Sequence, residues 1–173
     1  YRITPTGIDH MLHVLKVRTQ MDLRNSATSA SSKDMLGESV THTTYGAPQY
    51  ADVLGSQHSD TMRAIFSDLA DADNYPIYLH DTYGRDQVGT VCYILEAALG
   101  MTDEDLMREY RLSILTNQGL HTQEMNAFLE QFSKLSGDTK QEKAENYLRS
   151  IGLTSAQIRS IQEIFLEPAV AAE

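Results

Sequence analysis

The chain has 173 residues, 41% of them hydrophobic and 22% charged, enough to bury one ordinary core without disulfides or metals. Its formal net charge of −10 excludes a broad basic footprint for nucleic acid and disfavours docking on anionic membranes. The single cysteine, Cys92, rules out an internal disulfide and leaves the redox compartment open.

In chain order, Thr4-Pro5 opens a helix, with Thr as cap and Pro at the first helical position. Ile8, Met11, Leu12 and Leu15 give that helix one apolar face. Val17, Thr19, Met21 and Leu23 alternate with Arg18, Gln20, Asp22 and Arg24, which predicts a strand, followed by a Ser/Thr-rich loop from Asn25 to about Lys33. Val40 to Thr44 suits a short strand and Gly46-Ala47-Pro48 a loop. Tyr45, Tyr50, Ala51 and Asp52 read as an ordinary loop with half-buried tyrosines, the alternative being a partner or ligand surface. Thr61 to Ala70 is a helix burying Met62, Ile65, Phe66 and Leu69, broken by the turn residues from Asp71 to Pro76. Ile77-Tyr78-Leu79 suits a buried strand, and Val91, Ile94, Leu95, Ala98 and Leu99 mark a helix that stops at Gly100. The remainder is helical. Thr102 caps one helix, Met125, Phe128, Leu129 and Phe132 stripe a second, a third runs from about Glu142 to Arg149, and Thr154 with Gln157 boxes a fourth. Strands interleaved with helices, then helices alone, predict an α/β sandwich with a central mostly parallel sheet, flanking helices and a helical C-terminal extension. One domain over 1–173 is expected, all-helical over 102–173, with an N-terminus that suits a shortened chain. No run reaches membrane-spanning length and no basic-then-apolar leader is legible, so a soluble protein of unassigned compartment is expected.

The segment Ile77 to Thr90 carries the chemistry. A strand ends, a loop with glycines turns, and a helix begins, which aims backbone N–H groups into an anion-attracting concavity. It resembles the loop of the tyrosine and dual-specificity phosphatases, in which His-Cys, five residues, then Arg and Ser or Thr enclose a phosphate. The likeness is greatest to the bacterial and fungal branch reading His-Cys-x-x-Gly-x-Asp-Arg-Thr-Gly, with His80, Gly84, Asp86, Gly89 and Thr90 at matching positions. Thr6-Gly7-Ile8-Asp9, Val17-Arg18-Thr19 and Asp22-Leu23-Arg24 are similar to that branch's first helix and strand. Leu99 to Leu106, Tyr110 to Ser113, and Tyr147-Leu148-Arg149 through Leu153-Thr154 are similar to its later helices.

The departures are as specific as the matches. Asp81 stands at the nucleophilic Cys position, Gln87 at the phosphate-clamping Arg position and Val88 at the following Ser/Thr position. The resemblance implies a thiolate that attacks phosphorus, a guanidinium that grips two phosphate oxygens and a hydroxyl that helps the thiol leave. A carboxylate is a far poorer nucleophile, and Gln87 donates hydrogen bonds without charge. Loss of a nucleophile alone removes on the order of 10⁶ of turnover in serine enzymes. Asp86 matches the aspartate implied as general acid. The binding loop is therefore His80, Thr82, Tyr83, Gly84, Arg85, Val88 and Gly89, with Asp81, Asp86 and Gln87 at the catalytic positions. Asp81 is expected to place its own carboxylate in the donor nest, and Arg85, at a position read as solvent-exposed, is the only nearby loop cation.

Other groupings carry less. Cys92 reads as a small core residue facing away from the loop donors, and His10 with His13 as a solvated helix face without a third metal ligand. Asp22, Asp81 and Asp86 could gather around Mg²⁺ for an aspartyl-phosphate mechanism, but the Asp-x-Asp motif after a strand that such phosphotransferases need is lacking. No metal and no cofactor are expected. The reading is a catalytically inactive tyrosine-phosphatase-like protein that binds or scaffolds, with a weakly held phosphorylated protein or lipid as ligand. The alternative is a phosphatase whose loop has been altered from an active parent that hydrolyses phosphate monoesters through a Cys-phosphate intermediate. A third is hydrolase chemistry built on Asp81.

Overall fold

The computed structural model describes residues 3–25, 35–116 and 119–166. Thr4 Oγ1 accepts the Gly7 N–H at 3.1 Å and Pro5 starts the helix, as the capping rules require. This helix, α1 (Pro5–Asp9), runs into a π-helical turn over His10–Val14. The wider winding takes Leu15 off the apolar stripe. Ile8, Met11 and Leu12 pack inward, whereas Leu15 is 51% exposed, against the single face expected from 3.6-residue spacing. Lys16, at φ +54°, turns the chain into the sheet.

Three strands form the sheet: β1 (Thr19–Asp22), β2 (Thr41–Thr44) and β3 (Ile77–His80). Their order is β2-β1-β3 and both pairings are parallel, with Thr19 opposite Thr41 on one side and Ile77 on the other. The predicted alternation in β1 hides a difference. Gln20 and Asp22 are as buried as Thr19 and Met21, because a parallel sheet is covered on both faces. Met21, Ile77 and Leu79 join the larger core. Tyr78 packs with Ile8, Met11 and Leu12 around Val17, Leu36 and Val40 on a smaller one. Much of the Ser/Thr-rich loop predicted after β1 lies outside the described residues.

Five longer helices complete the layers: α2 (Ser59–Leu69), α3 (Gln87–Ala98), α4 (Asp103–Leu112), α5 (Thr122–Ser133) and α6 (Lys140–Ser150). A sixth, α7 (Ser155–Phe165), follows. Met62, Ile65, Phe66 and Leu69 are all buried, as the spacing of α2 predicts. Thr102 accepts from the Asp105 N–H, and Thr154 with Gln157 forms the capping box read from the sequence. Thr139 and Glu142 form a second box that starts α6. On α7, Ile158 and Ile161 are buried, while Phe165 stays 42% exposed and meets Tyr75 edge-on.

The C-terminal helices matter to the site because they hold its floor. α5 packs along the 3₁₀ turn Tyr50–Leu54, and the Tyr147 hydroxyl of α6 donates to the Val53 carbonyl of the same turn. Among the described residues no helix is long and apolar enough to cross a membrane.

Candidate functional site

The loop lies where β3 gives way to α3, at the C-terminal edge of the parallel sheet. His80 closes the strand, 8% exposed, with its ring stacked on Tyr78 at 4.7 Å between centroids. Gln20 Nε2 approaches His80 Nε2 at 3.0 Å. An amide nitrogen only donates, so His80 Nε2 accepts and the ring proton sits on Nδ1, which faces the Asp81 carbonyl at 3.4 Å. Burial lowers the imidazole's pKa more than the nearby Asp22 raises it, so the ring is neutral.

Asp81 points into the concavity. Its Oδ1 accepts the Tyr83 N–H at 2.7 Å and the Gly84 N–H, and its Oδ2 accepts the Val88 N–H from the first turn of α3 at 3.0 Å. Gly84 takes φ +71°, a left-handed conformation that glycine adopts without strain. Three backbone donors from the turn and the helix start thus converge on one carboxylate. Thr82 and Gly84 are exposed, Tyr83 is 40% exposed, and Gln87, Val88 and Gly89 are half-buried.

Arg85 departs from its expected exposure. It is 3% exposed, and its guanidinium turns inward to grip the next residue. Arg85 Nε meets Asp86 Oδ1 at 2.8 Å, Nη2 meets Oδ2 at 3.0 Å, and Nη1 donates to the Gly119 carbonyl at 3.0 Å. The reason is pairing. Asp86 is itself buried, and its charge needs a planar cation to offset the lost hydration.

Two further groups reach Asp86 from distant segments. The Tyr50 hydroxyl donates to Oδ1 at 2.7 Å, and His121 Nδ1 lies 3.0 Å from the same oxygen. Tyr50 is also 3.2 Å from the Tyr110 hydroxyl, and its N–H donates to Thr90 Oγ1 at 3.1 Å. Tyr50 holds φ +49°, an uncommon conformation for a non-glycine residue, so the ordinary loop read at Tyr50 is a buried wall of the site. Burial pushes the Tyr50 phenol far up, and Tyr110 and Asp86 push the same way, so it remains a donor. For Asp86, burial raises the carboxyl, but the Arg85 guanidinium and the Tyr50 hydroxyl outweigh it and hold it below the ordinary carboxylate value. Asp86 is therefore an ionised, fully paired anion.

Beside the loop, Asp22 is fully buried and accepts Arg24 Nε at 2.8 Å and Nη2 at 2.6 Å. The pairing raises the Arg24 guanidinium, and the Asp81 charge adds to it. Asp22, Asp81 and Asp86 are thus engaged separately, by Arg24, by backbone N–H groups and by Arg85. No cluster of three metal-ligating side chains occurs among the described residues. His10 and His13 stay at the surface, with His13 Nε2 3.6 Å from Asp9.

Cys92 lies one turn into α3, partly covered in a cleft of about 230 Å³ shared with Tyr83, Val88 and Glu96. Burial pushes its thiol up to about 12, which leaves almost no thiolate at neutral pH. The cleft contact replaces the core position expected for it.

Sequence reasoning found the loop but missed Tyr50, Tyr110, His121 and Arg24 as its supports. Asp22 and Arg24, two apart in the alternation that predicts the strand, were a usable signal for that ion pair, which forms just past the end of β1. Nothing in local spacing marks the other three. No curated protein matches the chain. A family model described as tyrosine phosphatase family matches residues 1–167, nearly the whole length, and the chain belongs to that family.

Proposed function

We propose that this protein is a catalytically inactive member of the tyrosine phosphatase family that acts by binding rather than turnover. The observation that carries the reading is the occupancy of the loop. The Asp81 carboxylate accepts the Tyr83, Gly84 and Val88 N–H groups, the donors that a bound phosphate would need. A phosphate entering there meets a fixed negative charge, and Gln87 supplies no positive one. The only guanidinium within the loop, Arg85, is turned to Asp86. Ligands are then recognised by the rim of the loop, where Thr82, Tyr83 and Gly84 are exposed, and a phosphorylated protein or lipid is held weakly at most.

The test is hydrolysis of a small aryl phosphate, with and without Mg²⁺, by this protein and by Asp81→Cys/Gln87→Arg/Val88→Thr. Turnover restricted to the triple variant is the expected result. Turnover by the unaltered protein that Asp81→Asn abolishes would overturn the reading in favour of carboxylate chemistry.

A further inference from the structure

Beside the loop, between α3 and α4, the cleft of about 230 Å³ that holds Cys92 opens at the rim where Tyr83 and Gly84 are exposed. Val88, Leu106 and Leu112 give it apolar walls. Among the described residues, Glu96 of α3 and Glu109 of α4 are the charged side chains that line it, with no lysine, arginine or histidine beside them. Arg108, the neighbour of Glu109, is turned to Glu104 and Asp105 instead, at 3.3 and 3.2 Å. The Cys92 thiol feels both glutamates and Asp81 together, so three carboxylates bear on this one opening.

The two glutamates differ in access. Glu109 is exposed, whereas Glu96 is half-buried and its Oε2 has no hydrogen-bond partner among the described residues. Burial and then the Glu109 charge raise the Glu96 carboxyl, which places the two within electrostatic reach of each other. A cation held beside Glu109 relieves that repulsion without having to touch the buried oxygen. The walls select the rest of the occupant, an aliphatic stem lying on Val88 and Leu106 with its charge at the tip. An ammonium, whose three donors point in different directions, suits two carboxylates on two helices better than a planar guanidinium, which matches one. Past the cleft, Leu112, Ile114 and Leu115 are each more than half exposed. A free amine leaves that apolar strip uncovered, whereas the residues flanking a lysine cover it.

We propose that the cleft between α3 and α4 takes a lysine side chain of a protein partner. Its ammonium pairs with Glu109 in the added field of Glu96, and its neighbours in the partner lie on Leu112, Ile114 and Leu115. This names the partner chemistry of a rim that acts by binding, and it rests on that reading. The family's loop is built for an anion, and the cleft next to it here is built for a cation.

The experiment is an NMR titration of the full chain with acetyl-Leu-Lys-Leu-amide, with the same peptide carrying Nε-acetyllysine, and with butylamine. Saturable shifts of the Val88 and Leu106 methyls by the lysine peptide are expected, with binding at least about tenfold weaker for the other two probes. Glu109→Gln should weaken the lysine peptide by roughly threefold to fivefold, the effect of a partly exposed ion pair. Leu115→Ser should weaken the peptide and leave butylamine unchanged. Both residues are exposed, so neither change threatens the fold. Equal binding of the acetyllysine peptide, shifts that miss Val88 and Leu106, or indifference to Glu109→Gln would each overturn the proposal. Butylamine bound as tightly as the peptide would make this a free-amine site and overturn the protein partner. Aryl phosphate turnover by the unaltered protein would overturn the inactive reading without moving these shifts, so the two failures are distinguishable.

Discussion

Two carboxylates five residues apart in one loop are stabilised in different ways. Asp81 accepts backbone N–H groups, from Tyr83, Gly84 and Val88, with the Arg24 guanidinium adding its charge nearby. Asp86 is held by side chains, from Arg85, Tyr50 and His121. A backbone nest does not depend on the identity of the residues that form it, provided the turn keeps its shape. It therefore persists with Asp81, Gln87 and Val88 as its residues. The ring around Asp86 depends on particular side chains, and the loop's shape rests on it. Within this loop the side-chain network around Asp86 and the backbone nest around Asp81 are separate sets of contacts.

The largest effect should come from breaking the ring. Asp86→Ala strands the buried Arg85 guanidinium, and a loss of about 3–5 kcal/mol is expected in chemical denaturation. A loss under about 1 kcal/mol would mean that Arg85 finds another anion and the ring is not the scaffold.

Asp81→Ala should cost less, about 1–3 kcal/mol, because the freed N–H groups can be reached by solvent or by an added anion. Sulfate should raise the melting temperature of Asp81→Ala well beyond its effect on the unaltered protein. Equal shifts in both would show that the nest is closed without the carboxylate.

Tyr50→Phe removes one donor to Asp86 and leaves the aromatic wall, so about 1 kcal/mol is expected. A double-mutant cycle with Asp86→Asn should show coupling between the two positions. Additive losses would separate Tyr50 from the ring.

The smallest effects are proton-linked and opposite in sign. Asp86 is held below its unfolded value, so its stabilisation is complete above the ordinary carboxylate range and fades as pH falls through the lower folded value. Glu96 behaves the other way. Burial first, and then Glu109, pushes its carboxyl up to about 7, and its buried Oε2 has no hydrogen-bond partner among the described residues. The protonated form is favoured in the fold, so stability declines as pH rises from the unfolded value through about 7. Glu96→Gln should flatten stability between the ordinary glutamate value of 4.5 and about 7, the window bounded by those values, and leave the acid limb governed by Asp86 unchanged.

Much of this molecule was legible in local pattern. Thr4, Thr102 and Thr154 cap helices because their side chains reach N–H groups only a turn away. Met62, Ile65, Phe66 and Leu69 are buried because their spacing puts them on one stripe. The strand, the glycine turn and the helix start from Ile77 to Gln87 follow from the same short-range rules. What the tertiary structure decided was everything that needed a second segment. Arg85 reads as an exposed loop cation until Asp86, Gly119 and the packing around them turn it inward. Leu15 belongs to an apolar stripe until the π-helical turn rotates it to solvent. Tyr50 and His121 reach Asp86 only because α5 and α6 hold the 3₁₀ turn against α3, and no periodicity in the chain encodes that meeting. Caps and stripes are set by neighbours within a turn or two, whereas the neutralisation of a buried charge is settled by whichever partner the completed core brings within hydrogen-bond reach.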